Sequence, residues 1–149
     1  MAATPEAVNR VRNLLPNAKV HAKIESQPGV DNIQAIADAA DGLIVARADL
    51  AIEVPLEQLG VATEAAAAAA GNLDREIIVA SGLFESLERS EHPSIAETMD
   101  LWYQHRVLGV RQFLISGSAS VSKPLEAASW ARALLRAFDD AAVRDVAAE

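Results

Sequence analysis

Four short runs of the chain are apolar nearly throughout and rich in β-branched residues: Lys19–Glu25, Gly42–Arg47, Glu76–Ser81 and Gln112–Ser116. Each predicts a strand of about 5–6 residues. The last three hardly alternate, which is the pattern of parallel strands covered by helices. Between the runs, apolar positions recur at helical spacing. Thr4 before Pro5 and Glu6 predicts an N-cap, with Val8, Val11, Leu14 and Leu15 as the apolar stripe that follows. A second helix passes through Ile33, Ile36, Ala37 and Ala40 and stops before Gly42. A third starts near Pro55, passes Leu56 and Leu59, and carries the alanines Ala65 to Ala70 up to Gly71. Ser94-Ile95-Ala96-Glu97 matches a capping box and opens a fourth helix through Met99, Trp102, Val107 and Leu108. The stretch from Pro124 to about Ala147 predicts the last helix, with Leu125, Ala128, Trp130, Leu134, Leu135 and Phe138.

The order is therefore a helix followed by four strand-plus-helix repeats. Strand-to-strand spacings of about 25–35 residues are those of βαβ units, whose crossovers are right-handed. The fold class is α/β with parallel strands. No linker rich in Pro, Gly or Ser divides residues 1–149, so the chain reads as one domain. Composition narrows the function classes. Hydrophobic residues make up 51% of the chain and charged residues 23%, which excludes a disordered chain. The absence of cysteine removes disulfides, thiolate catalysis and sulfur-based zinc sites, and fits a reducing cytoplasm. A net charge of −8 is a poor match for nucleic acid, and no run of about 18 apolar residues suggests a membrane span. Alanine is about a fifth of the chain, which predicts helices lying close on the strands.

The polar residues fall at one end of these strands. Lys23 and Glu25 close the first, Asp49 lies just past the second, Ser81 ends the third, and Ser116-Gly117-Ser118 the fourth. All are carboxyl ends, the edge that carries ligands in barrels and open α/β sheets. Side chains alternate along a strand, so Lys23 and Glu25 share a face. The plain alternative is that any strand end meets solvent and prefers polar residues.

The residues themselves are more specific. Lys23-Ile24-Glu25-Ser26-Gln27-Pro28-Gly29-Val30-Asp31-Asn32-Ile33 and Ala40-Asp41-Gly42-Leu43-Ile44-Val45-Ala46-Arg47-Ala48-Asp49-Leu50-Ala51-Ile52-Glu53-Val54-Pro55 closely resemble the pyruvate kinase family. That family has K-I-E-N-x-E-G-V-x-N-I and S-D-G-I-M-V-A-R-G-D-L-G-x-E-I-P there. Ile78 to Ser86 is similar to its I-C-A-T-Q-M-L-E-S, His92 to Glu97 to its R-P-T-R-A-E, and Lys123 to Ala127 to its Y-P-L-E-A. The resemblance covers nearly the whole chain in order. It implies the second half of a (β/α)₈ barrel, four parallel strands completed by dimerisation or by a partner chain supplying the other half, with a fragment of a longer protein as the third possibility. It further implies Glu25 and Asp49 as Mg²⁺ ligands, with Mn²⁺ as a substitute, and a small 2-oxo acid such as pyruvate as ligand. Two carboxylates suit Mg²⁺, which completes its octahedron with water and substrate oxygens. Lys23 would place positive charge beside the enolate or phosphoryl oxygen. The amides of Ala48 and Asp49 would hold the substrate carboxylate. Ser81 replaces the family's threonine near the proton-transfer position and keeps the hydroxyl.

The departures matter as well. The family's G-D-L-G is Ala48-Asp49-Leu50-Ala51 here, its S-G-E-T is Ser116-Gly117-Ser118-Ala119, and Gly82 stands at its glutamine. The family's first four strands, lid domain and regulatory domain have no counterpart in these residues, and phosphoryl transfer depends on positioned charge that those parts carry. The resemblance therefore implies enolate chemistry, such as decarboxylation or aldol cleavage of a 2-oxo acid, rather than a kinase acting alone. The competing class is a non-catalytic homologue kept as an assembly or interaction subunit. Other residues read as structural. His21 is expected as a hydrogen-bonded core histidine, Arg47 as the partner of an interior carboxylate, and His92 and His105 as surface residues. Trp102, Tyr103 and Trp130 are expected in a core or interface, and the acidic stretch Asp139–Glu149 as a solvated helix end.

Overall fold

The β-branched runs do form strands, and they line up in chain order. The computed structural model describes residues 2–146, with side chains up to residue 141. Strands β1 (His21–Ile24), β2 (Gly42–Ala46), β3 (Glu76–Ala80) and β4 (Gln112–Leu114) make one sheet in the order β1-β2-β3-β4, every pair parallel. The sheet is not closed, and β1 and β4 are its edges. Each strand is one to three residues shorter than the apolar run that predicts it. The helices are α1 (Pro5–Leu14), α2 (Gln27–Asp31), α3 (Ile33–Ala39), α4 (Arg47–Glu53), α5 (Leu59–Asn72), α6 (Ile95–Arg106), α7 (Gly117–Ser122) and α8 (Pro124–Val146).

By contacts the chain forms two compact units. The first runs up to Ser81 and includes Val110–Leu114, so it holds the whole sheet with α1 to α5. Period-two alternation sends Ala22, Ile24, Leu43, Val45 and Val79 to one face, where all are buried with Ile36 and Ala37 of α3, Leu50 of α4 and Ala62, Ala66, Ala69 and Ala70 of α5. The alanines let α5 lie close over β2 and β3. The other face carries His21, Lys23, Ile44, Ile78, Gln112 and Leu114, which are half-buried or exposed. The register puts His21 beside Gly42 and Gly42 beside Glu76. His21 lies across the glycine and its Nε2 meets Glu76 Oε2 at 2.6 Å. Lys19 reaches the other oxygen of Glu76 at 3.3 Å. Arg12 of α1 ties down the loop before β2, bonding Ala39 O and Asp41 Oδ1 at 2.6 Å each.

The second unit comprises Gly82–Gly109 and the chain from Ile115 onward. Leu83, Phe84, Leu87, Leu101, Ala119 and Ala127 are buried in it. Its anchor is the predicted capping box. The Ser94 hydroxyl accepts from the Glu97 amide at 3.2 Å, while Glu97 accepts from the Ser94 amide at 2.8 Å and from the Ser86 amide and hydroxyl. Burial pushes the Glu97 carboxyl up, but these bonds from Ser86 and Ser94 outweigh it and hold it below its ordinary range.

Several expectations are corrected. Thr4 precedes α1 but makes no side-chain cap bond. Of the stripe on α1 only Val8 is buried, and Val11, Leu14 and Leu15 are exposed. The short helices α2 and α7 were not expected. On α6 Leu101, Gln104 and His105 are buried, while Met99, Trp102, Tyr103 and, just past its end, Val107 are exposed, so of the two alternatives for Trp102 and Tyr103 the core is not the one observed. His105 is thus a buried residue rather than a surface one, because Asp139 of α8 meets its Nε2 at 2.8 Å. His92 is exposed. His21 does form a hydrogen bond, though half-buried on the open face. Trp130 is half-buried, its indole N–H donating to Glu91 O. In the acidic stretch Asp139 and Asp140 are exposed, and residues 142–149 lie outside those whose side chains are described.

Candidate metal and oxo-acid site

The site is built on the carboxyl ends of β1 and β2. Lys23 occupies the third position of β1, and Glu25 follows the strand by one residue, so the pleat sends both to the same side. Ser26 then caps α2, its hydroxyl accepting from the Gly29 amide at 3.4 Å, which turns the chain away and leaves Glu25 at the strand end. On the neighbouring strand the backbone passes directly from Ala46 into α4, whose first turn contains Arg47, Ala48 and Asp49. No loop intervenes, so Asp49 is held within one helical turn of the end of β2.

These placements bring three charges together. Lys23 Nζ lies 2.5 Å from Glu25 Oε2 and 2.8 Å from Asp49 Oδ2. Two carboxylates, one just past β1 and the other in the helical turn that follows β2, therefore converge on one cationic point. Glu25 is largely shielded, its side chain 13% exposed, whereas Asp49 and Lys23 are about half exposed. The hydrogen bonds to Asp49 and then Glu25 raise the Lys23 ammonium above the ordinary lysine range, so it stays charged. One ammonium against two carboxylates leaves the cluster net negative, an environment that favours a further cation. Among the described residues no group of three or more His, Asp or Glu side chains gathers in metal-binding geometry. The donor set is thus two carboxylates, which is what Mg²⁺ accepts when water and substrate oxygens supply the rest. The residues present fit that ion.

Ala48 and Ser81 reach this rim by their backbones. The amides of Ala48 and Asp49 belong to the first turn of α4, where a backbone N–H has no carbonyl one turn back to bond. Ser81 follows β3 in a left-handed conformation, φ 73°, with Gly82 at φ 75°. A β-branched residue is strongly disfavoured in that region, whereas serine and glycine enter it at lower cost. Arg47 holds the turn, its Nη2 donating to Ser81 O at 2.5 Å. Arg47 thus makes a bond within the fold, and a carbonyl is its partner in this bond rather than a carboxylate. Sequence reading missed that link because a backbone acceptor leaves no residue-type signal.

Comparison with known proteins identifies the family of the fold. The family model described as pyruvate kinase, barrel domain, matches residues 3–126. A pyruvate kinase of Clostridium acetobutylicum is 32% identical over 130 residues, which is 83% of this chain and 27% of that protein. One from Clostridium perfringens is 35% identical over 131 residues, again 83% of this chain and 27% of its own length. One from Mycobacterium tuberculosis is 35% identical over 124 residues, covering 82% of this chain and 25% of that protein. The chain spans about a quarter of the length of these curated relatives. Both the match along most of the sequence and the parallel strand-helix order lead to one conclusion: the chain belongs to the pyruvate kinase family, as a stretch of its barrel domain.

Proposed function

We propose that this chain binds a divalent cation, Mg²⁺ or Mn²⁺, together with a pyruvate-like 2-oxo acid, and that it supports enolate chemistry of lyase type. The observation that carries this reading is the convergence of Glu25 and Asp49 on one cation at the carboxyl end of two adjacent parallel strands. A bound Mg²⁺ supplies Lewis-acid stabilisation of an enolate oxygen. Glu25 and Asp49 hold it, Glu25 from a shielded position and Asp49 from the exposed side. The amides of Ala48 and Asp49 receive the substrate carboxylate, and Lys23 contributes positive charge to an oxyanion. In this reading the Ser81 hydroxyl, which replaces the family's threonine, takes part in proton delivery to the enolate carbon. The whole of residues 1–149 acts as a single half-barrel domain in this reading, and the cysteine-free composition supports a reducing, cytoplasmic setting.

The sheet has four strands where a closed barrel of this type takes eight, and its two edges run parallel to each other. A second copy pairing β4 with β1 across a two-fold axis would complete the ring; a different partner chain, or further strands of a longer polypeptide, would complete it as well.

Calorimetry with oxalate, a mimic of the enolate of pyruvate, tests the site. Oxalate is expected to bind only with Mg²⁺ present, and both Glu25→Gln and Asp49→Asn are expected to weaken binding at least tenfold, about 1.4 kcal/mol. No binding, or binding indifferent to both substitutions, overturns the reading in favour of an assembly subunit. Mg²⁺-dependent loss of CO₂ from oxaloacetate, absent in both variants, extends it to catalysis.

A further inference from the structure

Lys23 occupies the place that a metal would need. Its Nζ is bonded to both candidate ligands at once, 2.5 Å from Glu25 and 2.8 Å from Asp49. A divalent ion held by the same two oxygens would sit about 2.0–2.1 Å from each. An ammonium and a dication cannot share that point, because the repulsion between them has no intervening solvent to screen it. The side chain has somewhere to go, since Lys23 is 46% exposed on a flexible four-carbon stem. Asp49, at 56% exposure, is open to an incoming ion from solvent.

We infer that Lys23 is an exchangeable internal counter-ion: in the metal-free chain its ammonium bridges Glu25 and Asp49, and entry of a divalent cation displaces it toward solvent, where it becomes available to an anionic ligand. This rests on the metal-binding reading above and goes beyond it. The exchange keeps two facing carboxylates from repelling one another when no metal is bound. It also makes metal and anion binding cooperative, because the metal frees the lysine that the anion uses.

Two measurements on the full chain test it, with Mn²⁺ as the probe. Electron paramagnetic resonance titration counts free Mn²⁺ in the wild type and in Lys23→Met. With two partly exposed ion pairs removed as competitors, Lys23→Met is expected to bind Mn²⁺ roughly 3–10-fold tighter. Amine acetylation read by mass spectrometry follows the lysine itself. Labelling of Lys23 is expected to rise as Mg²⁺ is added, with Lys19, whose partner is Glu76, as an unchanged internal reference. Asp49→Asn, which removes one of the bridge's two acceptors, is expected to show raised Lys23 labelling before any metal is added. Mn²⁺ binding with no gain in Lys23→Met and no change in Lys23 labelling overturns the exchange while leaving the metal site standing. Absence of Mn²⁺ binding in both wild type and Lys23→Met overturns the metal site and the exchange together.

Discussion

At Gly42 the side chain of a neighbouring strand takes the space that a Cβ would fill. A Cβ built there would lie 2.5 Å from His21 Cδ2 and 2.8 Å from Glu76 O, one a ring and the other backbone. Gly42→Ala is therefore expected to cost about 1–3 kcal/mol in urea unfolding, by forcing His21 off Glu76. Gln104 has the opposite problem. Its amide is buried on α6, and neither end has a hydrogen-bond partner among the described residues. Gln104→Met keeps the volume and removes the unpaired polar atoms, so it is expected to stabilise by roughly 1–2 kcal/mol in the same assay. Asp41 gives a pH dependence. The amide of Val20 donates to one of its oxygens at 2.7 Å and Arg12 to the other at 2.6 Å, and these bonds hold its carboxyl below the ordinary carboxylate range. The folded state thus releases this proton more readily than the unfolded state. The contribution is complete above the usual aspartate pKa and is lost as pH falls through the lowered value. Asp41→Asn is expected to flatten the acid side of a stability-against-pH curve without changing its slope near neutrality.

Among the elements, α6 shows what a local motif can and cannot reveal. The capping box was legible because Ser94 and Glu97 are three residues apart and bond each other's backbone. Ser94→Ala is expected to lower the thermal stability by about 1 kcal/mol, the usual size of a lost cap. Which side of the same helix is buried was not legible. The apolar stripe suggested Met99 and Trp102, yet Leu101, Gln104 and His105 face inward, since α8 arrives from more than thirty residues away and supplies Asp139. The strands were legible from their β-branched runs, and their ends were overextended because an apolar run continues into turns and helix starts. Helices α2 and α7, of five and six residues, are too short to show a period. At the site, spacing and resemblance singled out Lys23, Glu25 and Asp49, whereas their common ion pairing depends on α4 beginning without a loop. Such a junction is invisible to residue type.

For the whole molecule, the open edges of the sheet set the sharpest expectation. Closure by a second copy predicts a solution mass of about twice 15.8 kDa by light scattering. A single-copy mass down to low micromolar concentration would remove the two-fold ring. Among the described residues no helix is long and apolar enough to cross a membrane.

The strand order β1-β2-β3-β4 also bears on how the molecule comes to be. Every strand pairs with its neighbour in sequence, so none has to be threaded between two already joined. Assembly can grow outward one βα step at a time from the β2–β3 pair, which has the longest register. Contacts made by such additions have modest sequence separation, and loop-closure entropy stays low at each step. Amide exchange should follow the same gradient, slowest on β2 and β3 and fastest on the three-residue β4. A chain assembled in this stepwise manner loses its last strand without unravelling the first three.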